Sequence, residues 1–445
     1  MIVMKFGGTS LANGERIKNI VEIIKTRIEK KPVIVVSAIA GVTDLLLNTA
    51  KESAEGKNPN RKVEEIINIH KNIIKELDLK EEFLLNDFVK MYDIFNGIYL
   101  LKENSPRTLD IVASFGEILS SKIVAEYLNS IKIPAKQYAG WEAGLLTNNN
   151  FTNAEILPET YDKIKSYLKN FDKIPIIAGF IAKNKNGEIT TLGRGGSDYT
   201  ASIIGAGLNV NEIEIWTDVD GIKTADPRIV ENAKQWDKIT FEEVSEMAYF
   251  GAKVLHPKTI HPAMNKQIPV RVLNTYNINN KGTLITKESH EYCPVRAISL
   301  KNNIVIIKIS SIKMLYAYGF LAKIFEIFNR YRVSVDLVTT SEISVSVTLD
   351  EPNGNSKNVD SVILELKEIA KTEILDKMSI ICITGKDIQH NPEILERIFS
   401  LLKKNNINIE LISQGASSIS ISIVVKQEDS NKAIKELHKE FFENE

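Results

Sequence analysis

The stretch Met1-Ile-Val-Met-Lys-Phe-Gly-Gly-Thr-Ser10 opens the chain and decides its fold class. Its first six residues form a short, mostly apolar run that predicts a buried strand, and Gly7 and Gly8 predict a sharp turn after it. Residues 14–31 carry apolar side chains at helical spacing, and Val33-Ile-Val-Val36 predicts a second buried strand. A strand, a helix and a strand in this order indicate a parallel sheet with a right-handed crossover, so we expect an α/β domain.

Later segments extend the same pattern. Pro175-Ile-Ile-Ala-Gly-Phe-Ile181 and Glu212-Ile-Glu-Ile-Trp216 are apolar runs that predict further strands, with a small-residue helix between them. Residues 60–103 are different, because they are charged, helical in period and poor in glycine and proline. We interpret them as a helical excursion from the sheet with a structural role, such as a lid or a subunit contact.

The last third of the chain contains an internal repeat. Val333-Ser-Val-Asp-Leu-Val338 matches Ile407-Asn-Ile-Glu-Leu-Ile412, and the same offset pairs the apolar run at 304–309 with the run at 378–383. Each copy reads strand, helix, strand, strand, helix. This pattern predicts two small ferredoxin-like modules of βαββαβ type.

The second copy is one strand short, because its last helix runs almost to residue 445. Val295-Arg-Ala-Ile-Ser-Leu300 predicts a strand just before the first copy, and an unpaired sheet edge is a liability. We therefore predict that this strand completes the second module and that the two modules are interleaved. The predicted domains are residues 1–286, a first module at 301–376, and a second module made of 295–300 and 377–445.

Composition limits the classes of function. The 445 residues include 56 Lys and Arg against 57 Asp and Glu, a net charge of −1, which provides no general field for nucleic acid or an anionic membrane. The apolar fraction of 43% excludes a disordered chain. Two cysteines cannot build a disulfide framework, and no apolar run is long enough to span a bilayer. With no signal-peptide pattern at the start, we expect a cytoplasmic protein.

The first glycine turn is a candidate phosphate site. In an open α/β sheet, ligands bind beyond the carboxyl ends of the strands. Gly7 and Gly8 allow backbone N–H groups to approach an anion, the following helix adds its dipole, and Lys5 supplies a positive charge. A tight turn beside a solvated lysine is the alternative.

A second glycine-rich segment is Leu192-Gly-Arg-Gly-Gly-Ser-Asp-Tyr-Thr200. It also lies between a predicted strand and a helix. Arg194 is poorly placed for packing among glycines and well placed to bind a carboxylate or a phosphate in bidentate fashion. Asp198 lies at the helix start, where an N-cap is the commoner role, and both roles can coexist.

Acidic and basic residues mark two further segments. Trp216-Thr-Asp-Val-Asp-Gly221 and Thr224-Ala-Asp-Pro-Arg228 could hold a ribose or organise Mg²⁺, although Asp, Gly and Pro also form ordinary turns. In Phe250-Gly-Ala-Lys-Val-Leu-His-Pro257, Lys253 could reach phosphates. We interpret His256, before a proline, as structural.

Two small-residue patches complete the candidate site. Val36-Ser-Ala-Ile-Ala-Gly-Val-Thr-Asp44 offers Ser37 and Thr43 after the second strand, and Ala113-Ser-Phe-Gly-Glu117 presents a carboxylate. Together these motifs provide two anion cradles, a clamp for a carboxylate and an acceptor for an ammonium group. This combination suits a phosphoryl donor beside a zwitterionic substrate.

In this order, the motifs closely resemble those of the aspartate kinase family, and the repeat resembles the family's paired ACT domains. The resemblance implies the amino acid kinase αβα sandwich and transfer of the ATP γ-phosphoryl group to the side-chain carboxylate of L-aspartate. The product would be 4-phospho-L-aspartate, at the first step towards lysine, threonine and methionine. ATP and Mg²⁺ would be the cofactors, with Mg²⁺ arriving with ATP rather than at a dedicated protein site.

The resemblance also implies a role for each candidate residue. Arg194 would hold a substrate carboxylate and Glu117 the α-ammonium group, with Ser37 and Thr43 completing the aspartate site. Asp198 would orient the substrate or Mg²⁺. The residues that would hold the transferring phosphate are Lys5, Gly7, Gly8 and Ser10, and those that would line the nucleotide site are Thr217, Asp218, Asp226, Arg228 and Lys253.

The stretch from Met314 to Glu342 resembles the effector site of lysine-inhibited members of this family. Acidic residues there favour lysine over threonine as the effector, and exposed acids on a structural ACT fold are the alternative. ACT sheets commonly pair across subunits, so we expect a homodimer, with a tetramer left open. The implied effector residues are Met314, Gly319, Phe320, Ser334, Val335, Asp336, Thr340, Ser341 and Glu342.

Two other functions are compatible with parts of the pattern. A glutamate kinase shares the fold, but paired ACT modules and Ser114-Phe-Gly-Glu117 argue against it. A catalytically dead amino-acid sensor would keep the ACT modules, and the intact set of Lys5, Arg194 and Asp198 argues against that.

Overall fold

The computed structural model describes residues 1–250, 255–289, 293–315, 318–350, 356–386, 388–415 and 417–443. The chain divides into two compact units. The first contains residues 1–222, 235–241 and the described residues from 255 to 289. The second contains the remaining segments, so two stretches from the predicted N-terminal domain, 223–234 and 242–250, belong to the second unit.

The first unit is built on an eight-stranded sheet. Its order is β3-β5-β2-β1-β8-β10-β11-β9, and the strands from β3 to β10 in that order are parallel. A small sheet of β4, β6 and β7 lies beside it. The strands are β1 (Ile2–Phe6), β2 (Pro32–Val36), β3 (Ala135–Tyr138), β4 (Leu146–Thr147), β5 (Ile174–Ala178), β6 (Ile181–Asn184), β7 (Ile189–Thr191), β8 (Glu212–Thr217), β9 (Lys238–Thr240), β10 (Val270–Asn274) and β11 (Thr283–Thr286).

Helices cover both faces of this sheet, which makes the αβα sandwich expected from the alternating pattern. Side chains alternate along β1, so Met4 and Phe6 enter the core formed with the first five helices, while the opposite face meets α7. The helices are α1 (Gly14–Lys25), α2 (Val42–Ala54), α3 (Asn60–Glu76), α4 (Leu85–Leu101), α5 (Pro106–Ser130), α6 (Glu159–Leu168), α7 (Gly196–Leu208), α8 (Phe241–Tyr249, in the second unit from residue 242) and α9 (Pro257–Asn265).

Element boundaries depart from the sequence prediction in two places. The helix expected to reach residue 31 ends at Lys25, and Pro32 is the first residue of β2 rather than only a helix stop. The run expected from 175 to 181 is two strands, because the chain turns at Phe180, whose φ is +64°.

The predicted helical excursion forms α3 and α4. Val63, Ile66 and Phe95 are fully buried in the core that these helices share with α2 and α5, so the segment has a packing role. The Asp87 carboxylate on α4 forms an ion pair with the Lys122 ammonium on α5, with Oδ2 and Nζ 2.6 Å apart. Among the helices of the described residues, none is long and apolar enough to cross a membrane.

The second unit contains a six-stranded antiparallel sheet with the order β13-β14-β12-β15-β17-β16. Its strands are β12 (Ala297–Ser310), β13 (Val338–Thr340), β14 (Ser344–Asp350), β15 (Lys371–Thr384), β16 (Leu411–Gln414) and β17 (Ser420–Lys426). Its further helices are α10 (Phe320–Arg330), α11 (Ser356–Ile369), α12 (Pro392–Lys404) and α13 (Gln427–Phe442).

Both halves of the repeat use the two central strands of this sheet. Ala297–Lys301 pairs with Ile380–Thr384, which is the pairing predicted for the missing strand of the second copy. The continuation of β12, from Ile306 to Ser310, pairs with the start of β15 and with β14. Register shifts between Lys301 and Ile306 separate the two halves of β12. Each module therefore borrows half of a long strand from the other.

Candidate active site

The predicted phosphate segments meet at the carboxyl edge of the first sheet. In the parallel register, Phe6 pairs with Val36 on one side and with Trp216 on the other. The residues that follow, Gly7, Ser37 and Thr217, therefore leave neighbouring strands at the same edge, as expected for a ligand site in an open α/β sheet.

A buried ion pair lies at this edge. The Lys5 ammonium is 2.6 Å from Oδ1 of Asp198, and Lys5 is only 8% exposed. An N-cap is the commoner role for an aspartate at a helix start, but it is not the role of Asp198. The cap position is Gly195, at φ +69°, and Asp198 is the third residue of α7, in its first turn, where its side chain pairs with Lys5.

Glu117 is a buried carboxyl group beside the same ion pair. It is 4% exposed, and its Oε2 atom has no hydrogen-bond partner among the described residues. Burial raises the pKa of Glu117 to about 8, opposed by hydrogen bonds from the backbone and by the nearby charge of Lys5. In the ligand-free protein Glu117 is therefore largely protonated at neutral pH, and an ammonium group bound beside it would favour the ionised carboxylate.

A cavity of about 340 Å³ joins these groups. Ser37 and Thr43 lie on its wall, as the sequence predicts, and so do Gly193 and Gly195. Arg194, between those two glycines, is exposed and is not a wall residue. The complete wall is formed by Lys5, Gly8, Ser37, Ala38, Ile39, Ala40, Gly41, Thr43, Asp44, Glu117, Phe180, Gly193, Gly195, Gly196, Ser197 and Asp198.

Close packing explains the glycines at two of these positions. A Cβ atom on Gly8 would lie 2.6 Å from the carbonyl oxygen of Ala38, and one on Gly196 would lie 2.4 Å from the ring of Phe180. A larger residue at Gly8 would push the first glycine turn away from Ala38, and one at Gly196 would push the start of α7 away from Phe180. A short 3₁₀ helix, Gly8–Leu11, follows the turn, and α1 begins at Gly14, the predicted start, where Asn13 caps it.

Several residues predicted to bind ATP lie near the end of β8. The hydroxyls of Ser10 and Thr275 are 3.1 Å apart, and Thr275 donates from its backbone N–H to the carbonyl of Thr217. Thr217 in turn donates to Asp218, whose side chain is exposed. Gly7 donates to the carbonyl of Trp216.

The other predicted nucleotide residues belong to the second unit. Arg228 binds Asp226 through both Nε and Nη2, with a shortest distance of 2.6 Å, and Arg228 projects into solvent. The carboxylate raises the pKa of Arg228. Lys253 lies outside the described residues. His256, expected to be structural, accepts a hydrogen bond from the Lys258 backbone and so caps α9.

The predicted effector residues surround α10 in the second unit. Gly319, at φ +79°, is the cap residue of α10, and Phe320 begins that helix. Met314, Phe320 and Val335 pack against the module core. The exposed polar residues of the set are Ser334, Thr340, Ser341 and Glu342.

Asp336 is the best-connected member of this set. Its carboxylate lies 2.7 Å from the Lys301 ammonium and accepts a hydrogen bond from the Tyr249 hydroxyl at 3.1 Å. Lys301 also pairs with Asp350 at 2.8 Å. Both carboxylates raise the pKa of Lys301, although its burial opposes them. The Asp336 carboxylate is therefore already paired with Lys301 before any ammonium ligand binds.

Some wall residues were not singled out from the sequence. Asp44 follows Thr43 within a motif that was recognised, so proximity in sequence could have added it. Phe180 carried no chemical signal, since its position depends on an unusual backbone angle. Asp220 is not a wall residue, and it accepts hydrogen bonds from Asn274 and Asn277, a tertiary contact that a local pattern does not indicate.

The described residues contain no cluster of three or more His, Cys, Asp or Glu side chains suited to hold a metal ion. Asp198 offers a carboxylate on the cavity wall, which Asp44 and Glu117 also line. One carboxylate of this kind fits Mg²⁺ that is bound mainly by phosphate oxygens and water.

Two family models match the chain. The model of the amino acid kinase family matches residues 1–274, and a model of the ACT domain matches residues 381–441.

Relatives match the chain along its whole length. It is 42% identical to Aspartokinase 1, chloroplastic, of Arabidopsis thaliana, over 99% of this chain and 80% of that protein. It is 34% identical to Lysine-sensitive aspartokinase 3 of Escherichia coli, over 100% of this chain and 99% of that protein.

Solved structures agree with the relatives. E. coli aspartokinase III in complex with aspartate and ADP (R-state) superposes with a TM-score of 0.86, at 32% identity, over 99% of this chain and 100% of that chain. The same enzyme with lysine and aspartate (T-state) has a TM-score of 0.81, at 33% identity, over 99% of each chain.

Proposed function

Because the chain belongs to the aspartokinase family and is an aspartate kinase, we propose that it transfers the γ-phosphoryl group of ATP to the side-chain carboxylate of L-aspartate. The product would be 4-phospho-L-aspartate, an acyl phosphate that supplies the synthesis of lysine, threonine and methionine. The observation that carries this proposal is one cavity whose wall holds the Lys5–Asp198 pair and Glu117, whose Oε2 atom has no hydrogen-bond partner among the described residues.

These groups fit an amino-acid substrate with a second carboxylate. Glu117 receives the α-ammonium group, which neutralises a carboxylate that is costly to bury alone. Arg194, exposed beside the wall, binds a substrate carboxylate from solvent, and Ser37 and Thr43 offer hydroxyls to the same molecule. E. coli aspartokinase III was solved with aspartate bound, which supports this substrate.

The phosphate would be held at the first glycine turn. Lys5 lies within the strand that precedes the turn, and a Cβ atom on Gly7 would lie 3.6 Å from the Lys5 ammonium, so charge and backbone N–H groups lie together. Ser10, Thr217 and Asp218 extend from this point towards the nucleoside. Asp226, Arg228 and Lys253 complete the proposed nucleotide set by resemblance. The ADP bound to E. coli aspartokinase III supports ATP as the donor.

The reaction needs little proton chemistry. The attacking carboxylate is ionised at neutral pH, so no strong general base is required. Catalysis is reduced to alignment of donor and acceptor and to neutralisation of crowded oxygens. Lys5 supplies positive charge at that point, and Asp198 holds the Lys5 ammonium in place. Mg²⁺ bound to ATP supplies further charge neutralisation.

Regulation is assigned to the second unit. The effector would be an amino acid with an additional ammonium group, lysine rather than threonine, because Asp336 and Glu342 are acidic. The N-terminal turn of α10, after Gly319, offers backbone N–H groups to the effector carboxylate. The lysine bound to E. coli aspartokinase III supports this choice. We also propose a homodimer formed through the ACT sheet.

The test is a coupled assay of ADP release. With ATP and Mg²⁺, we expect ADP release that depends on L-aspartate, and trapping with hydroxylamine should yield the aspartyl hydroxamate. Equal rates with L-glutamate would favour the glutamate kinase alternative. Binding of amino acids without any ADP release would favour the catalytically dead sensor.

A further inference from the structure

Asp110 is a buried carboxylate outside the cavity, and it joins three segments of the first unit. It lies on α5 and is 1% exposed. Its two oxygens accept the backbone N–H of Thr152 at 3.0 and 3.1 Å, the backbone N–H of Thr191 at 3.1 Å and the Thr191 hydroxyl at 2.7 Å. All three groups are donors, so the site matches an ionised carboxylate, which only accepts.

The turn at Thr152 depends on this carboxylate. Thr152 has φ +69°, in the left-handed region that a β-branched residue rarely adopts. Such a conformation persists only when its surroundings hold it, and Asp110 accepts the N–H of this residue with both oxygens. The next residue, Asn153, packs against the loop of Arg194, since a Cβ atom on Gly193 would lie 2.6 Å from the Asn153 oxygen.

Asp110 also connects the two parts of the proposed substrate site. Along α5, Glu117 lies about two helical turns after Asp110, on the same face. Along β7, Gly193 lies two residues after Thr191, and Arg194 follows it. Asp110 is therefore connected to Glu117, the proposed ammonium acceptor, through α5. It is connected to Arg194, the proposed carboxylate-binding residue, through the end of β7.

From this arrangement we propose that Asp110 is a positioning residue, which sets the spacing between Glu117 and the Arg194 loop and thereby the affinity for the amino-acid substrate. The proposal rests on the assignment of aspartate to this cavity. It predicts that loss of the Asp110 contacts weakens aspartate binding more than ATP binding, because Lys5 and the first glycine turn are on other strands.

The test compares Asp110→Asn, Thr191→Val and Thr191→Ser in the full chain. The Asn amide keeps the shape but turns an N–H₂ group towards N–H donors. The Val side chain removes only the hydroxyl of Thr191, and the Ser side chain restores it. We expect KM for aspartate to rise roughly ten- to hundredfold in Asp110→Asn, the change that one charged hydrogen bond corresponds to. It should rise less in Thr191→Val and return to near the wild-type value in Thr191→Ser, with KM for ATP within about threefold throughout.

Asp87→Asn is the matched control, because it also removes a buried carboxylate that contacts α5, through Lys122, but touches neither Thr152 nor the Arg194 loop. Its melting temperature should fall while KM for aspartate stays at the wild-type value. Equal KM shifts in Asp87→Asn and Asp110→Asn, or parallel rises in the two KM values of Asp110→Asn, would overturn the positioning role. If Asp110→Asn does not fold, Thr191→Val against Thr191→Ser decides. A wild-type chain without aspartate-dependent ADP release would instead refute the proposed function.

Discussion

The Lys5 ammonium is buried beside the first glycine turn and is held there by its ion pair with Asp198. We predict that Lys5→Met lowers kcat about a hundredfold or more, since removal of one preorganised donor from an oxyanion hole costs about 2.7–4 kcal/mol and Lys5 would have the same kind of role. KM for aspartate should change much less, because Glu117 and Arg194 remain. Steady-state rates of ADP release, with far-UV circular dichroism to verify the fold, measure this.

The control for Lys5 is a second buried ion pair on the same sheet. Arg27 pairs with the buried Glu214 of β8 at 3.1 Å and is not a wall residue of the cavity. Arg27→Met should lower stability and leave kcat within about threefold. A Lys5→Met enzyme as fast as Arg27→Met would remove Lys5 from the catalytic set.

Glu117 should make the ligand-free protein less stable as pH rises. Its pKa is raised to about 8 by burial, above its ordinary value of 4.5, so the folded chain retains a proton that the unfolded chain loses between these values. Its contribution to stability is full below about pH 4.5 and is lost as pH rises towards 8, with a slope of up to about 1.4 kcal/mol per pH unit. Glu117→Gln removes this slope.

The measurement is urea unfolding of the wild type and of Glu117→Gln between pH 5 and about 8.5. The difference between the two free energies of unfolding should shift in favour of Glu117→Gln as pH rises, because all other titrating groups cancel. Aspartate should flatten the wild-type curve, since its ammonium group favours ionised Glu117. Two parallel curves would mean that Glu117 is not protonated in the folded protein.

At the scale of elements, α13 holds the loop that carries Asp226 and Arg228. Nε2 of His438 lies 2.9 Å from the Thr224 hydroxyl, and Nδ1 lies 2.9 Å from Glu443. The Thr224 hydroxyl oxygen also accepts the backbone N–H of Lys234, and the Lys234 ammonium reaches the carbonyl of Phe442 on α13. The last helix of the chain therefore fixes both ends of the loop 223–234.

We predict that His438→Ala raises KM for ATP about tenfold and changes KM for aspartate little, because the released loop belongs to the proposed nucleotide set. His390→Ala is the control, since this histidine of the same unit is exposed and its hydrogen-bond partner among the described residues is Gln389. ATP titrations at saturating aspartate measure the effect. Equal changes in both KM values would mean that α13 acts on general stability alone.

Most elements of the second unit could be predicted because the same order of apolar runs occurs twice in the sequence. The strand at 295–300 had no partner in its own copy, and its observed pairing with 380–384 is the predicted one. The sequence did not predict that β12 and β15 are each one continuous strand of 14 residues. Their pairing continues through register shifts after Lys301, which a local pattern does not indicate. The membership of 223–234 and 242–250 in this unit depends on tertiary contacts that a local pattern does not encode.

The candidate site could be predicted where short motifs end buried strands. Lys5 and Ser37 lie on one cavity wall because the parallel register brings the ends of β1 and β2 together, and parallel order was predictable from a β-α-β pattern. Glu117 reaches the same wall from α5. The partner of Asp198 was not predictable, because a carboxylate at a helix start satisfies local rules as a cap. Asp110 was missed because its hydrogen-bond donors, in Thr152 and Thr191, lie about 40 and 80 residues away in the sequence.

At the scale of the whole molecule, a net charge of −1 conceals a division of charged residues. Lys5, on the cavity wall, and Arg194, exposed beside it, are cationic groups of the first unit, suited to anionic ligands. The predicted effector set of the second unit has the opposite character, with Asp336 and Glu342. Lys301 already occupies Asp336, so a cationic effector must compete with a side chain of the chain itself.

If a cationic effector competes with Lys301 for Asp336, inhibition should depend on the Asp336 carboxylate. Lysine should inhibit aspartate-dependent ADP release, and threonine should not. Asp336→Asn should raise the lysine concentration for half inhibition at least about tenfold, since a charged hydrogen bond contributes roughly 1.5–3 kcal/mol. Asp350→Asn is the matched control, because Asp350 also pairs with Lys301 but is outside the predicted effector set. It should shift half inhibition less than about threefold. Equal shifts in both variants would mean that the acids act only by holding Lys301, and inhibition by threonine alone would refute lysine as the effector.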